Sequence, residues 1–305
     1  MPALPFLLVD AFTSTPFTGN PCAVVLDADA LSEAQMQQLA REFNQSETAF
    51  VRRAVAGADV AVRYFTPAEE IPLAGHPTIA TITALLHTGR LVLPTAAPLQ
   101  LQLELKHGPV AVEVLPPAAP GAPAVVWMTQ RRPAFGPVHD PAAVLPLFGL
   151  TPADALPGAA VQTVSTGTPQ LMVPLRDAAA LRRAHLPDPA ALARYRAAHP
   201  DFFSAHLFCL GGATPAGHTF ARHFCPPPDL PEDPVTGSAT GGMAAYLWHY
   251  GYLENAKFTA EQGHWLGRPG TVAVRVLGPR ESPEAVQIGG PGVVVMRGEV
   301  VRGVG

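Results

Sequence analysis

The chain has 305 residues; 48% are apolar and only 14% charged, with a net charge of −4 and a pI near 6.2. It is too apolar and too weakly charged for a disordered chain, and too poor in basic residues to neutralise the phosphates of a nucleic acid, so no nucleic-acid partner is expected. Cys22, Cys209 and Cys225 show no C-x-x-C spacing; this argues against a disulfide framework or a zinc site and fits a reducing, cytoplasmic setting. The first ten residues lack the basic start of a secretory signal, and no run approaches the ~18 apolar residues of a membrane span, so no membrane partner is expected either.

Taken in chain order, short runs rich in Val, Leu and Phe predict strands at 4–10, 22–26, 48–52, 60–65, 99–105 and 110–115. Between them, 32–43 reads as a helix with Ser32 as its N-cap. The segment 77–87 is apolar nearly all round, which marks a buried central helix. Pro116, Pro117, Pro120 and Pro123 form the best linker candidate and divide the chain into domains 1–120 and 121–305. Beyond it, strands are predicted at 125–129, 171–175, 206–210, 219–224, 271–277 and 293–301, the last of which could pair back with the first domain. A second buried helix covers 238–250, and the Ala/Arg-rich stretch 177–199 reads as surface helix.

An internal repeat links the two parts. Arg63-Tyr64-Phe65-Thr66-Pro67 and Arg222-His223-Phe224-Cys225-Pro226 share R-x-F-x-P at an offset of 159. Three residues further on, at an offset of 162, Gly75, Thr78, Leu85, His87 and Gly89 fall on Gly237, Thr240, Leu247, His249 and Gly251. Each copy therefore reads as strand, loop, glycine turn and buried helix. In a duplicated protein, equivalent turns tend to face each other across the domain interface, within about the ~10 Å span of a small ligand pocket. Here both turns lead into helix N-termini, which attract carboxylates or phosphates.

The reactive groups cluster in sequence around these turns. His76 follows Gly75, Asp233 precedes Gly237 by four residues, and Glu47 opens a strand beside the apolar Ala49-Phe50-Val51. Partial burial would move a carboxyl pKa toward the range useful to a general acid/base. Each residue also has an ordinary reading: Glu47 as a solvated strand-end carboxylate, His76 as a capping or core-edge imidazole, Asp233 as a loop residue stabilising its own turn, Ser238 as an N-cap. Gly237-Ser238-Ala239-Thr240-Gly241 is not a nucleophile elbow, because position 236 is Thr where that motif needs Gly. There is no G-x-G-x-x-G after a strand, no P-loop and no H-E-x-x-H, so neither a dinucleotide nor a metal site is indicated.

Six segments together carry a family resemblance: Val9-Asp10-Ala11-Phe12-Thr13; Phe17-Thr18-Gly19-Asn20-Pro21; Asn44-Gln45-Ser46-Glu47-Thr48; Ala74-Gly75-His76-Pro77-Thr78; Asp233-Pro234-Val235-Thr236-Gly237-Ser238-Ala239; and Glu261-Gln262-Gly263 with Gly267-Arg268-Pro269. In this order the chain resembles the PhzF-like phenazine-biosynthesis family, relatives of diaminopimelate epimerase and proline racemase. The resemblance implies an α+β fold of two similar domains, each a barrel-like sheet wrapped around a central helix, with the active site in the cleft between them. It makes Glu47 the catalytic acid/base, with His76 and Asp233 as supporting catalytic residues. Ser46, Gly75, Pro77, Gly237 and Ser238 would bind the substrate.

The epimerase relatives carry a cysteine in each turn, whereas all three cysteines here lie elsewhere. A thiol two-base racemase is therefore disfavoured, and a single carboxylate that removes a proton and returns it to another carbon fits better. The expected function is a cofactor-independent isomerase of a small anionic carboxylic acid, without metal, in a homodimer. The alternatives are an epimerase or racemase of an amino or hydroxy acid, and a non-catalytic small-acid binding or interaction protein.

Overall fold

A computed structural model describes residues 3–301 apart from Ala56, Ala96 and His107. The first part of the chain forms β1 (Leu4–Ala11), β2 (Asn20–Val25), α1 (Glu33–Phe43), β3 (Glu47–Arg52), β4 (Val60–Phe65), β5 (Glu70–Ile71), α2 (Gly75–His87), β6 (Leu99–Leu105), β7 (Gly108–Leu115) and β8 (Val125–Gln130). There follow β9 (Ala134–His139), α3 (Pro141–Val144), β10 (Val161–Ser165), β11 (Pro169–Pro174), α4 (Ala178–Arg183), α5 (Pro189–Ala198), β12 (Ser204–Leu210) and β13 (Thr219–Phe224). The chain closes with β14 (Glu232–Asp233), α6 (Gly237–His249), β15 (Lys257–Gln262), β16 (Gly270–Leu277), β17 (Ala285–Gly290) and β18 (Gly292–Val300). Two units result: Met1–Thr129 with Gly289–Gly305, and Gln130–Ile288. No helix among the described residues is long and apolar enough to cross a membrane.

In the first unit β1 is flanked by antiparallel β2 and β18. β2 runs parallel to β3, β3 is antiparallel to β4, and β4 pairs with short β5 and, in parallel, with β6. The sheet packs on α2, whose Ile79, Ala80, Ile82 and Ala84 are fully buried, as its all-round apolar sequence requires. α1 is amphipathic and lies on the outer face, where Met36 and Ala40 pack against Phe50 and Phe65. Ser32 accepts from the Gln35 amide and the Gln35 side chain accepts from Ser32 N–H, a capping box that fixes where α1 begins.

The second unit repeats the order. β11 runs parallel to β12, β12 is antiparallel to β13, and β13 pairs with short β14 and, in parallel, with β15. α6 takes the place of α2, with Met243, Ala244, Ala245 and Leu247 fully buried. The stretch 177–199 is two helices, α4 and α5, separated by the five residues Ala184-His185-Leu186-Pro187-Asp188. It is not merely surface helix: Ala180, Leu181 and Leu192 are buried in a core with Phe148, Phe202 and Leu207.

The duplication extends to individual bonds. Arg63 grips Glu70 through both nitrogens of its fork at 2.7 Å, and Arg222 grips Glu232 in the same way at 2.8 and 2.7 Å. In register, Phe65 faces Glu70 as Phe224 faces Glu232. The three-residue adjustment therefore lies in the loop between these strands, 66–69 in one copy and 225–231 in the other. Thr78 Oγ1 donates to Ala74 O as Thr240 Oγ1 donates to Thr236 O. Gly89 and Gly251 both take left-handed φ values, 69° and 76°, just past the helix ends.

β9, β10, β15 and β17 lie outside the strands predicted from the sequence. β9 contains Gly136 and Pro137, and in β15 (Lys-Phe-Thr-Ala-Glu-Gln) Phe258 is the one large apolar residue. Their pairing with β10 and with β13 and β16, rather than local preference, makes β9 and β15 strands.

Candidate active site

Glu47 is the first residue of β3, and its side chain is 18% exposed. In register it lies beside Cys22 on β2. His76, the second residue of α2, is buried and places Nε2 3.0 Å from Glu47 Oε2. The Asn20 amide donates to His76 Nδ1 at 3.1 Å. Since Nδ1 accepts, the neutral ring carries its proton on Nε2, on the side of the Glu47 carboxylate. The contact is close, but its angle falls short of a well-aligned hydrogen bond. Burial lowers the His76 pKa to about 3, so the ring is neutral at physiological pH. The neutral ring lies against Glu47 without neutralising it.

Cys22 is a poor candidate for the chemistry. Burial and the neighbouring Glu47 charge push its pKa well above the usual thiol value, so it remains a thiol.

In the second unit Asp233 ends β14 and is buried. Thr236 Oγ1 donates to Asp233 Oδ2 at 2.5 Å. Gln262, at the end of β15, accepts from Thr236 N–H at 3.0 Å and donates to Asp233 O at 2.7 Å and Thr236 Oγ1 at 3.2 Å. Gly263 follows at φ 84°, where a Cβ would lie 2.3 Å from Arg268 O and 2.7 Å from Pro234 O. Only glycine fits this close approach.

Gly237 and Ser238 open α6. The N-cap is Thr236, two residues earlier than the Ser238 reading, and it makes no side-chain cap bond. Buried Gln130 donates to Gly237 O at 3.0 Å and accepts from Thr166 Oγ1 at 2.6 Å. A Cβ on Gly241 would meet Gln130 Oε1 at 1.7 Å, which explains the glycine at that position. Gly75 and Pro77 are buried in the first turn of α2, where the missing proline N–H costs no helical bond, and half-buried Ser46 immediately precedes β3.

Helix starts fall into two classes among the described residues. α1, α3, α4 and α5 are capped by Ser32, Asp140, Asp177 and Asp188. α2 and α6 have no side-chain cap bond, although their first turns are largely buried. Their N-terminal dipoles can therefore act on an anionic group supplied by a ligand.

Thus the structure brings Glu47, His76 and Asn20 together in one unit, and Asp233, Thr236 and Gln262 in the other. Asn20, Thr236 and Gln262 all lie inside the motifs that carry the family resemblance, yet nothing local to those motifs marks them as partners of His76 or Asp233. Among the described residues no group of three or more His, Cys, Asp or Glu side chains is arranged to hold a metal ion.

The family model for phenazine biosynthesis-like protein matches residues 9–298. An uncharacterized isomerase of Salmonella typhimurium, YddE, is 35% identical, with 95% of this chain and 96% of that protein aligned. The trans-2,3-dihydro-3-hydroxyanthranilate isomerase of Pseudomonas fluorescens is 33% identical over 97% of this chain and 99% of its own length. Among solved structures, a PhzF-family phenazine biosynthesis protein of Bacillus anthracis superposes with a TM-score of 0.85 at 30% identity, covering 99% of this chain and 100% of that one. A hydroxyproline epimerase of Agrobacterium vitis shares the fold, with a TM-score of 0.66 at 15% identity over 98% of this chain and 92% of that one.

Proposed function

This chain belongs to the phenazine biosynthesis-like protein family and is an isomerase, and we propose that it moves a proton between two carbons of a small unsaturated carboxylic acid with Glu47 as its only acid/base. The Glu47 carboxylate takes a proton from a carbon next to the unsaturation. The electron pair spreads into the adjoining double bond, and Glu47 returns the proton to the far carbon on the same face. The substrate's own conjugation accommodates the charge, so the shift requires no redox cofactor. Neutral His76 holds the carboxylate from its Nε2–H side and helps stabilise the negative charge that returns to it. Asp233 has a supporting role in the reaction, and the uncapped helix starts, at Gly75 in one unit and at Gly237-Ser238 in the other, are each suited to an anionic group of the substrate.

The asymmetry of the duplication carries this reading. Phe65 and Phe224 are equivalent, so the registers β3·β4 and β12·β13 make Glu47 equivalent to Ser204. Ser204 is fully buried; it donates to Gln170 Oε1 at 2.7 Å and contacts His223 Nε2 at 2.8 Å. His76 corresponds to Ser238, at the common helix offset of 162. The Glu47–His76 pair is thus not repeated at the equivalent positions of the second unit, which hold the hydroxyls of Ser204 and Ser238, so the duplication supplies no second acceptor equivalent to Glu47, as a two-base racemase would need.

The test is product analysis in deuterated water, with trans-2,3-dihydro-3-hydroxyanthranilate as the first substrate because relatives carry that activity in their names. The proton shift places deuterium on the receiving carbon and moves the double bond. An epimerase would instead label the original carbon with inversion, which would overturn the proposal.

A further inference from the structure

We propose that Gln262 is a positioning residue that sets the Asp233 carboxylate through the Thr236 hydroxyl; this rests on Asp233 serving the reaction proposed above. The wiring has one direction. Gln262 Nε2 can only donate, so Thr236 Oγ1 accepts from it, and the hydroxyl proton is committed to Asp233 Oδ2. Gln262 Oε1 accepts the Thr236 N–H, and Nε2 also holds Asp233 O. One buried amide therefore fixes both ends of the Asp233–Thr236 turn and orients the hydroxyl that holds the acid.

The duplicated unit shows what the same scaffold does without an acid. Ile71 lies opposite Tyr64 as Asp233 lies opposite His223, so Ile71 is the counterpart of Asp233. Ala61 pairs with Glu104 as Phe220 pairs with Glu261, so Glu104 corresponds to Glu261 and Leu105 to Gln262. Both glutamates pin the loop of the preceding hairpin, Glu104 by accepting from Val55 N–H at 3.0 Å and Glu261 from Thr214 N–H at 2.9 Å. The next position differs together with the acid. Where the first unit has Ile71 and buried Leu105, the second has Asp233 and buried Gln262. A buried amide costs free energy unless it is fully hydrogen-bonded, and the first unit shows that the fold itself is satisfied by leucine. The glutamine therefore goes with the acid, not with the scaffold.

The experiment is a double-mutant cycle on the full chain with Gln262→Leu, Thr236→Val and Asp233→Asn, reading kcat and KM on trans-2,3-dihydro-3-hydroxyanthranilate and the position of Asp233 in crystal structures of the single variants. Gln262→Leu and Thr236→Val should each lower kcat by about 100-fold, the order expected for a misplaced group, with KM changed less than about threefold. In the Asp233→Asn background either change should cost less than about twofold more, because the residue it acts through is already gone. The Asp233 carboxylate should turn away from position 236 while α6 stays in place. Additive losses, or an Asp233 undisturbed in folded Gln262→Leu and Thr236→Val, would overturn the inference. Thr236→Val keeps the amide clamp on the backbone, so it decides the matter if Gln262→Leu does not fold. Wild-type protein inactive on this substrate, with Asp233 displaced in the variants, would leave the positioning role standing and count against the proposed reaction alone.

Discussion

The two units are copies of one design that differ at a few polar positions. Both keep the arginine–glutamate clamp, the threonine that bonds back to the start of the central helix, the left-handed glycine after it and the glutamate that pins the hairpin loop. Every one of these features is structural. Among the differences are Glu47 against Ser204, His76 against Ser238, Ile71 against Asp233 and Leu105 against Gln262. Residues that maintain the scaffold are bound by packing and register in both copies. The positions that differ include those to which the proposed reaction assigns its polar side chains.

The largest expected effect breaks the comparison at its reactive position. Glu47→Gln keeps size and hydrogen-bonding reach but cannot take a proton, so it should lower turnover by roughly 10²–10⁴ while binding of a substrate-like acid stays within a few fold. Ser204→Ala, its counterpart, should leave kcat within about twofold and instead lower stability by ~1–3 kcal/mol, the cost of the buried partners it strands. Deuterium incorporation and calorimetric titration of both variants measure the difference; equal losses of turnover would remove the functional asymmetry.

Acid should act more strongly on the second unit. Burial holds His223 near a pKa of about 3 and lowers His206 well below the ordinary value, while the first unit has His76 near about 3. A histidine whose folded pKa is depressed binds its proton in the unfolded chain first. Stability is then complete above the unfolded pKa of ~6.5 and falls as pH drops toward the folded value, on the order of 1.4 kcal/mol per pH unit for each ring. His206→Ala with His223→Tyr installs the first unit's equivalents, Ala49 and Tyr64. Urea unfolding at pH 7 and pH 5 should show a smaller acid penalty for this pair than for wild type, with a residual slope from His76.

The clamps should differ by less. Arg222→Met strands Glu232 and also loses bonds to Leu181 O and Ala184 O, whereas Arg63→Met leaves Glu70 paired with Lys106 at 2.6 Å. Thermal unfolding should show a loss of ~2–3 kcal/mol for Arg222→Met and ~1 kcal/mol for Arg63→Met. As small as the effect of Arg63→Met, Ser32→Ala at the capping box of α1 should cost ~1 kcal/mol in unfolding free energy and leave turnover unchanged. That would separate the helices that cap themselves from the two central helices that do not.

From sequence alone came the features that local pattern encodes. The repeat, the two all-apolar helices, the Ser32 cap and the glycine turns are properties of neighbouring residues, and Glu47, His76 and Asp233 stand out because the motifs around them are short and contiguous. Tertiary structure decided what depends on pairing between distant segments. The register of β3 on β4 and of β12 on β13 makes Ser204, rather than any residue near a glycine turn, the counterpart of Glu47. Asn20, 56 residues away in the chain, selects the tautomer of His76, and burial of that ring, which no local pattern measures, keeps it neutral. α4 and α5 show the same limit: their Ala/Arg-rich sequence suits a solvated helix, yet Leu181 and Leu192 are core residues because a hydrophobic face formed by other segments covers them. Contacts, register and desolvation arise only when segments far apart in sequence are brought together, and in this protein the polarity of the reactive groups rests on all three.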